Sequence, residues 1–354
     1  MIEPSSKASI TNACLLCLTH SLRCQRMAPK LGCKPIIEAL IMTDRLTALQ
    51  HHSTSSLKTI SQVVSTTMLA IALLTGSALA KDPFRSTNPR AISDKTEAAF
   101  EAFFKQGDYK AAANYLSRTE STEPLALSMK ATLAYNDILA GRDNKEKQAA
   151  LLEQFRSYGT QTRTAAEKLL PTDPLRGNMY LAVSHFFDGV YAFTKDGTIK
   201  GTPQVLKELQ QVIKYLDAAE AIAPNDPELN MLRGYMDVYT GIYLPFASSD
   251  KGVERLQKYA NPRYLAERGL AMGYLEMKQY DKALASVDRA IALTPNNPEI
   301  QYLKAKILVK QGKDQDSLAY FDKALGKKEQ LPPGLVREMD RAQRQARERL
   351  AGVK

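Results

Sequence analysis

Residues 222–229 read Ile222-Ala223-Pro224-Asn225-Asp226-Pro227-Glu228-Leu229, and residues 293–300 read Leu293-Thr294-Pro295-Asn296-Asn297-Pro298-Glu299-Ile300. In both, an Asp/Asn-Pro step follows a short turn and opens an apolar-periodic stretch that runs to Gly241 or Gly312. The chemistry of the step is that of a helix start. The Asp or Asn side chain accepts from the first free backbone N–H groups. Proline fits the first helical turn, where its missing N–H costs nothing. Glu228 and Glu299 put negative charge at the positive end of the helix dipole. The same step recurs as Asp173-Pro174 and Asn261-Pro262. Pro227 and Pro298 lie 71 residues apart, close to two units of about 34 residues, and such a period predicts stacked helical hairpins.

The residues inside these units resemble the tetratricopeptide repeat family, whose pattern is W-x2-L-G-x2-Y, A-x3-F and a closing P. In residues 264–297, Leu270, Ala271 and Tyr274 fill the first part, Ala283 and Val287 the second, Ala290 follows, and Pro295 closes. Glu267 stands where the pattern has Trp. In residues 298–331, Ala305 and Leu308 fall in the first helix, Gly312 in the turn, and Ser317, Phe321 and Ala324 in the second. A further fragment runs from Phe103-Phe104 through Gln106-Gly107-Asp108-Tyr109 to Ala111-Ala112. The resemblance implies an all-α fold: a right-handed superhelix of antiparallel helix pairs, a TPR-like α-solenoid, with a C-terminal capping helix. Residues 261–331 hold two clear repeats, and 93–260 degenerate ones. Leu244-Pro245-Phe246 predicts a loop, since proline inside a helix costs about 3 kcal/mol, with a short helix near 251–260. Residues 194–202 (TKDGTIKGT) read as an insertion. Altogether about six helix pairs are expected.

A last helix is expected at 333–351, with the stripe Leu335, Met339, Ala342, Ala346 and Leu350. One apolar face is what a solenoid needs to cover its open end. Its other faces carry Arg337, Arg341, Arg344, Arg347 and Arg349, read as a solvated surface, with an anionic-surface binder as the rival reading.

Upstream, residues 63–74 (VVSTTMLAIALL) form a short apolar run behind Arg45 and Lys58, and Ala78-Leu79-Ala80 follows. That order of basic, apolar and small-residue segments predicts a secretory signal peptide over 42–80, cleaved after Ala80. The rival reading is an uncleaved anchor, the only membrane contact expected. Residues 1–41 are read as an over-extended or unstructured N-terminus, and 81–92 as a linker. All four cysteines (Cys14, Cys17, Cys24, Cys33) lie before residue 34, so thiol chemistry is excluded downstream. The formal charge is +10, but seven Lys/Arg against three acids fall before residue 81, leaving +6 beyond it. A spread charge of that size does not indicate a nucleic-acid binder. The composition resembles that of exported cyanobacterial repeat proteins, which implies the periplasm or thylakoid lumen.

No cofactor and no metal ligand set is legible. G-x-G-x-x-G, G-x4-G-K-[ST] and H-E-x-x-H are all absent from the sequence. His185 is the single histidine after the leader and sits beside Phe186 and Phe187. It is read as a packed residue without a triad partner, and no catalytic residue is assigned. A helical enzyme built around His185 is the alternative. The resemblance instead implies a scaffold that binds a protein or peptide ligand on the concave face, aiding complex assembly. The candidate contact residues are Tyr235 and Tyr239 on one first helix, Arg268 and Met272 on the next, and Tyr302, Lys306 and Lys310 on the third. Four-residue steps keep each set on one face. Tyrosine offers rigid contact area and lysine attracts carboxylates, suiting an extended acidic or mixed peptide; the rival is that the tyrosines pack between repeats. The family's clamp for a C-terminal carboxylate is not expected, because Leu303 occupies one of its polar positions.

Overall fold

The computed structural model describes residues 82–86, 89–90, 92–119, 122–140, 145–243 and 247–352. The expected signal peptide and the cysteines lie outside them. The first pair is α1 (Asp94–Phe100), prolonged by a π turn (Glu101–Lys105), and α2 (Tyr109–Leu116). The second is α3 (Pro124–Ala140) and α4 (Lys145–Leu169). The third is the two halves of α5 (Pro174–Ile222), which bends at Gly197 (φ 70°). Then come α6 (Pro227–Tyr243) with α7 (Asp250–Lys258), α8 (Arg263–Glu276) with α9 (Tyr280–Leu293), and α10 (Pro298–Lys310) with α11 (Asp314–Leu325). A 3-10 turn (Lys328–Gln330) leads to α12 (Pro333–Leu350). Among the described residues the fold is all-α, six helical hairpins and a last helix, consistent with a TPR-like solenoid.

The predicted caps do what their chemistry requires. Asp173 accepts from the Arg176 amide at 3.2 Å, Asp226 from Leu229 at 2.9 Å, and Asn297 from Glu299 at 2.9 Å. Asn261 departs from the pattern: Pro262 takes the cap position of α8, and the Asn261 amide donates to the Phe84 carbonyl at 2.9 Å. Gly312 ends the first helix of the last hairpin at φ 76°, the left-handed conformation that glycine adopts without penalty. At the matching turn of the preceding hairpin Lys278 holds φ 59°. The stretch 194–202 is not an insertion loop. Helix resumes after Gly197 and runs on through Pro203.

Small residues set the spacing between helices, as the repeat pattern demands. Ala271, Ala283, Ala290, Ala305 and Ala324 are all fully buried. A Cβ on Gly269 would stand 2.6 Å from Cζ of Tyr235, so α6 and α8 approach more closely than any larger residue allows. The final helix covers the end of the stack with Leu335, Met339 and Ala346, while Leu350, expected in the stripe, is exposed.

Residues 82–86 and 89–90 are not a free linker. Phe84 is buried against Phe100, ring centroids 5.3 Å apart in an edge-on contact. Arg85 pairs with Asp82 at 3.1 Å and with Asp226, and its guanidinium lies 3.9 Å from Glu228. Arg90 pairs with Asp173. The segment is a strap across the starts of α5 and α6. The first hairpin behaves likewise. Asn297 donates to the Phe104 carbonyl at 3.1 Å, and Gln330 donates to Asp108 at 3.0 Å. Strap and first hairpin thus close over the N-terminal ends of α6, α8 and α10. This explains why Tyr264 through Ala271 are buried without interruption: a helix with one free side would bury residues only at steps of three and four.

Candidate functional site

The expected contact residues divide by depth. Tyr235 is 1% exposed and donates its hydroxyl to the Leu265 carbonyl at 2.8 Å. Tyr239 is 2% exposed and stacks on Tyr243 at 6.1 Å. Arg268 is buried in an ion pair with Glu299 at 2.9 Å, which ties α8 to α10. Tyr302 is buried and donates to Glu338 of α12 at 2.9 Å. These four hold repeat to repeat, which corrects their expected place on a contact surface. The reason is close packing within and between repeats: Tyr235 lies against Gly269, Arg268 reaches Glu299, and Tyr302 packs on Phe321.

Three of the expected residues reach solvent. Met272 and Lys306 are half-buried and Lys310 is exposed. They occupy the C-terminal parts of α8 and α10, away from the strap. Lys306 lies over the Tyr302 ring, 5.4 Å from its centroid. At the matching end of α6, half-buried Tyr243 donates to Glu276 of α8 at 3.3 Å. The open part of the first-helix face thus carries Met272, Tyr243 and two lysines, with the Glu276 carboxylate beside Tyr243.

A second constellation was not legible in the sequence. His185 is not an isolated packed residue. Its Nδ1 lies 2.6 Å from Oε2 of Glu208 and 3.2 Å from a guanidinium nitrogen of Arg163. Arg163 also pairs with Asp188. Gln204, one turn before Glu208, donates to its other oxygen. The imidazole stacks on Tyr215 at 5.4 Å and 15°. One ligand atom from each of His185, Asp188 and Glu208 lies within 4.8 Å of the others. Burial pushes the Asp188 carboxyl above the usual range and neighbouring Glu208 adds to this, while Arg163 and His185 oppose it. His185 and Asp188 are three apart on one helix face, which a sequence reader could have noticed. Glu208 lies beyond the bend at Gly197 and Arg163 lies on another helix, so no spacing rule announces them.

Residues 268–332 match the tetratricopeptide repeat family model. The match spans α9, α10 and α11 with the larger part of α8, and supports the tetratricopeptide repeat family for this chain. No curated protein matches the chain. Repeats of this family generally mediate contacts between proteins. Here the matched region contains the open rim with Met272, Lys306 and Lys310, together with the buried pair Arg268–Glu299. The His185 constellation falls outside it, in the hairpins that carry no repeat signature.

Proposed function

We propose that this protein is an exported interaction scaffold that receives an acidic, extended segment of a partner protein at the C-terminal ends of α6, α8 and α10, and so aids assembly of a complex. The observation that carries the reading is the match of residues 268–332 to a protein-binding repeat, joined to a rim where Lys306 and Lys310 stand one helical turn apart. Two ammonium groups at that spacing attract carboxylates, and Tyr243 and Met272 supply apolar contact beside them. Export rests on the sequence of residues 42–80, with the periplasm or thylakoid lumen as destination.

Two experiments test the two parts. Affinity capture with the wild-type protein and a Lys306→Glu, Lys310→Glu variant of equal helicity reads the rim. Partners kept by the wild type and lost by the variant support the assignment, and identical partner sets reject it. For export, N-terminal sequencing of the protein recovered from cells reads the cleavage point. A start at Lys81 supports removal of the leader, whereas a start upstream of the apolar run, in protein recovered from the cytoplasm, rejects export.

A further inference from the structure

His185, Asp188 and Glu208 each bring one ligand atom within 4.8 Å of the others, and Arg163 is the cation held among them. A ring nitrogen that carries a proton donates to Glu208, while Arg163 donates to Asp188, so ion pairs and hydrogen bonds hold the cluster in that state. A ring nitrogen that carries a lone pair can accept from Arg163, but it then faces a carboxylate oxygen at 2.6 Å as a second acceptor. For the lone-pair form, a small cation in front of Nδ1 takes Arg163's place and gathers the lone pair and both carboxylates on one positive centre.

We propose that His185, Asp188 and Glu208 bind a divalent transition-metal ion, with Arg163 as the resident counter-cation that the metal displaces. One nitrogen and two carboxylate oxygens are a donor set for zinc and its neighbours rather than for calcium or magnesium, which take oxygen ligands. Three protein ligands leave a fourth position for water, the pattern of an open site. The charge also balances: two carboxylates neutralise one divalent ion, which frees Arg163 to swing away. That side chain is a third exposed, so its route to solvent is short. The surrounding shell is in place. Gln204 holds one oxygen of Glu208, and Tyr215 fixes the plane of the imidazole. Outer partners of this kind orient the ligands and raise affinity. The site is independent of the lysine rim and of any partner bound there.

The test is cobalt and zinc binding to the full chain, untagged, stripped with chelator, and with its four cysteines alkylated so that they cannot bind metal. Equilibrium dialysis gives stoichiometry, and the visible spectrum of bound cobalt reports the ligand set. The expected result is one equivalent in the wild type, lost in both His185→Ala and Glu208→Gln. Gln204→Ala should bind about 10–100-fold more weakly, and Arg163→Ala more tightly than wild type. Should His185→Ala fail to fold, the Arg163→Ala and Gln204→Ala variants still decide. Equal uptake by wild type and the ligand variants, or no uptake by wild type and Arg163→Ala alike, overturns the site. Weaker binding by Arg163→Ala overturns the displacement.

Discussion

The Asn297 side chain caps α10 with its oxygen and donates its Nδ2 to the Phe104 carbonyl, 3.1 Å away and 193 residues earlier in the chain. One amide therefore starts a helix of the sixth hairpin and fastens the first hairpin over it. The same nitrogen lies 3.3 Å from the Lys105 carbonyl, so it serves two adjacent carbonyls at the C-terminal end of the π turn. Closure of the fold passes through this residue.

Asn297→Ala should remove both functions. Loss of the cap costs about 1 kcal/mol, and a buried carbonyl left without a donor costs about 1–3 kcal/mol more. Asn297→Asp keeps the cap but cannot donate, so it should retain part of the stability. Chemical denaturation of the two variants separates the terms: equal losses would show that the cap contributes nothing, and no loss in Asn297→Asp would show that the bridge to Phe104 contributes nothing.

Phe84 should hold the strap. Its truncation to Ala removes a fully buried ring, which costs about 3–5 kcal/mol in a core that cannot collapse around the gap. If part of that cost is met by releasing the strap, trypsin gains access to Arg85 and Arg90. Limited proteolysis followed by mass spectrometry should show cleavage there in Phe84→Ala and protection in the wild type.

Glu228 gives a pH dependence of defined sign. It is fully buried, and burial holds its carboxyl well above the ordinary range. Its folded form therefore binds the proton more tightly than the unfolded chain does. Stability from this group is greatest at low pH and falls as pH rises from the unfolded value toward the folded one. Glu228→Gln carries no such penalty. It should be more stable than the wild type at pH 7, and the difference should shrink as pH falls below the ordinary glutamate range. A constant difference across pH would show that Glu228 ionises freely in the folded protein.

Gly269 and Tyr235 should behave as one unit. Gly269→Ala drives a methyl into a ring held by its bond to the Leu265 carbonyl, at a cost of about 1–3 kcal/mol. Tyr235→Leu alone loses packing and the hydroxyl bond. The double variant should be less damaged than the sum of the two, because the contact that makes alanine unwelcome has gone. Strict additivity in a double-mutant cycle would place the strain elsewhere.

Lys278→Gly should stabilise the hairpin of α8 and α9. A side chain at φ 59° pays about 1–2 kcal/mol that glycine does not. Glycine's larger freedom in the unfolded chain offsets part of this gain. The midpoint of chemical unfolding should rise slightly, as expected from Gly312 at the same turn of the next hairpin.

The sequence determined what depends on neighbours along the chain. Asp173, Asp226 and Asn297 mark helix starts because a cap acts within three residues, and the alanines at repeat spacing mark contacts within a hairpin. Hence the helical class, the number of hairpins, the short helix expected near 251–260 and the closing helix were all legible. Only the tertiary structure decided what depends on residues far apart. Asn297 meets Phe104, Arg85 meets Asp226, and His185 meets Glu208 and Arg163 through hydrogen bonds and ion pairs that leave no periodic trace. Contacts of the same long-range kind hold Tyr235, Arg268 and Tyr302 between repeats, make a strap of residues 82–86 and 89–90, and give His185 three charged neighbours.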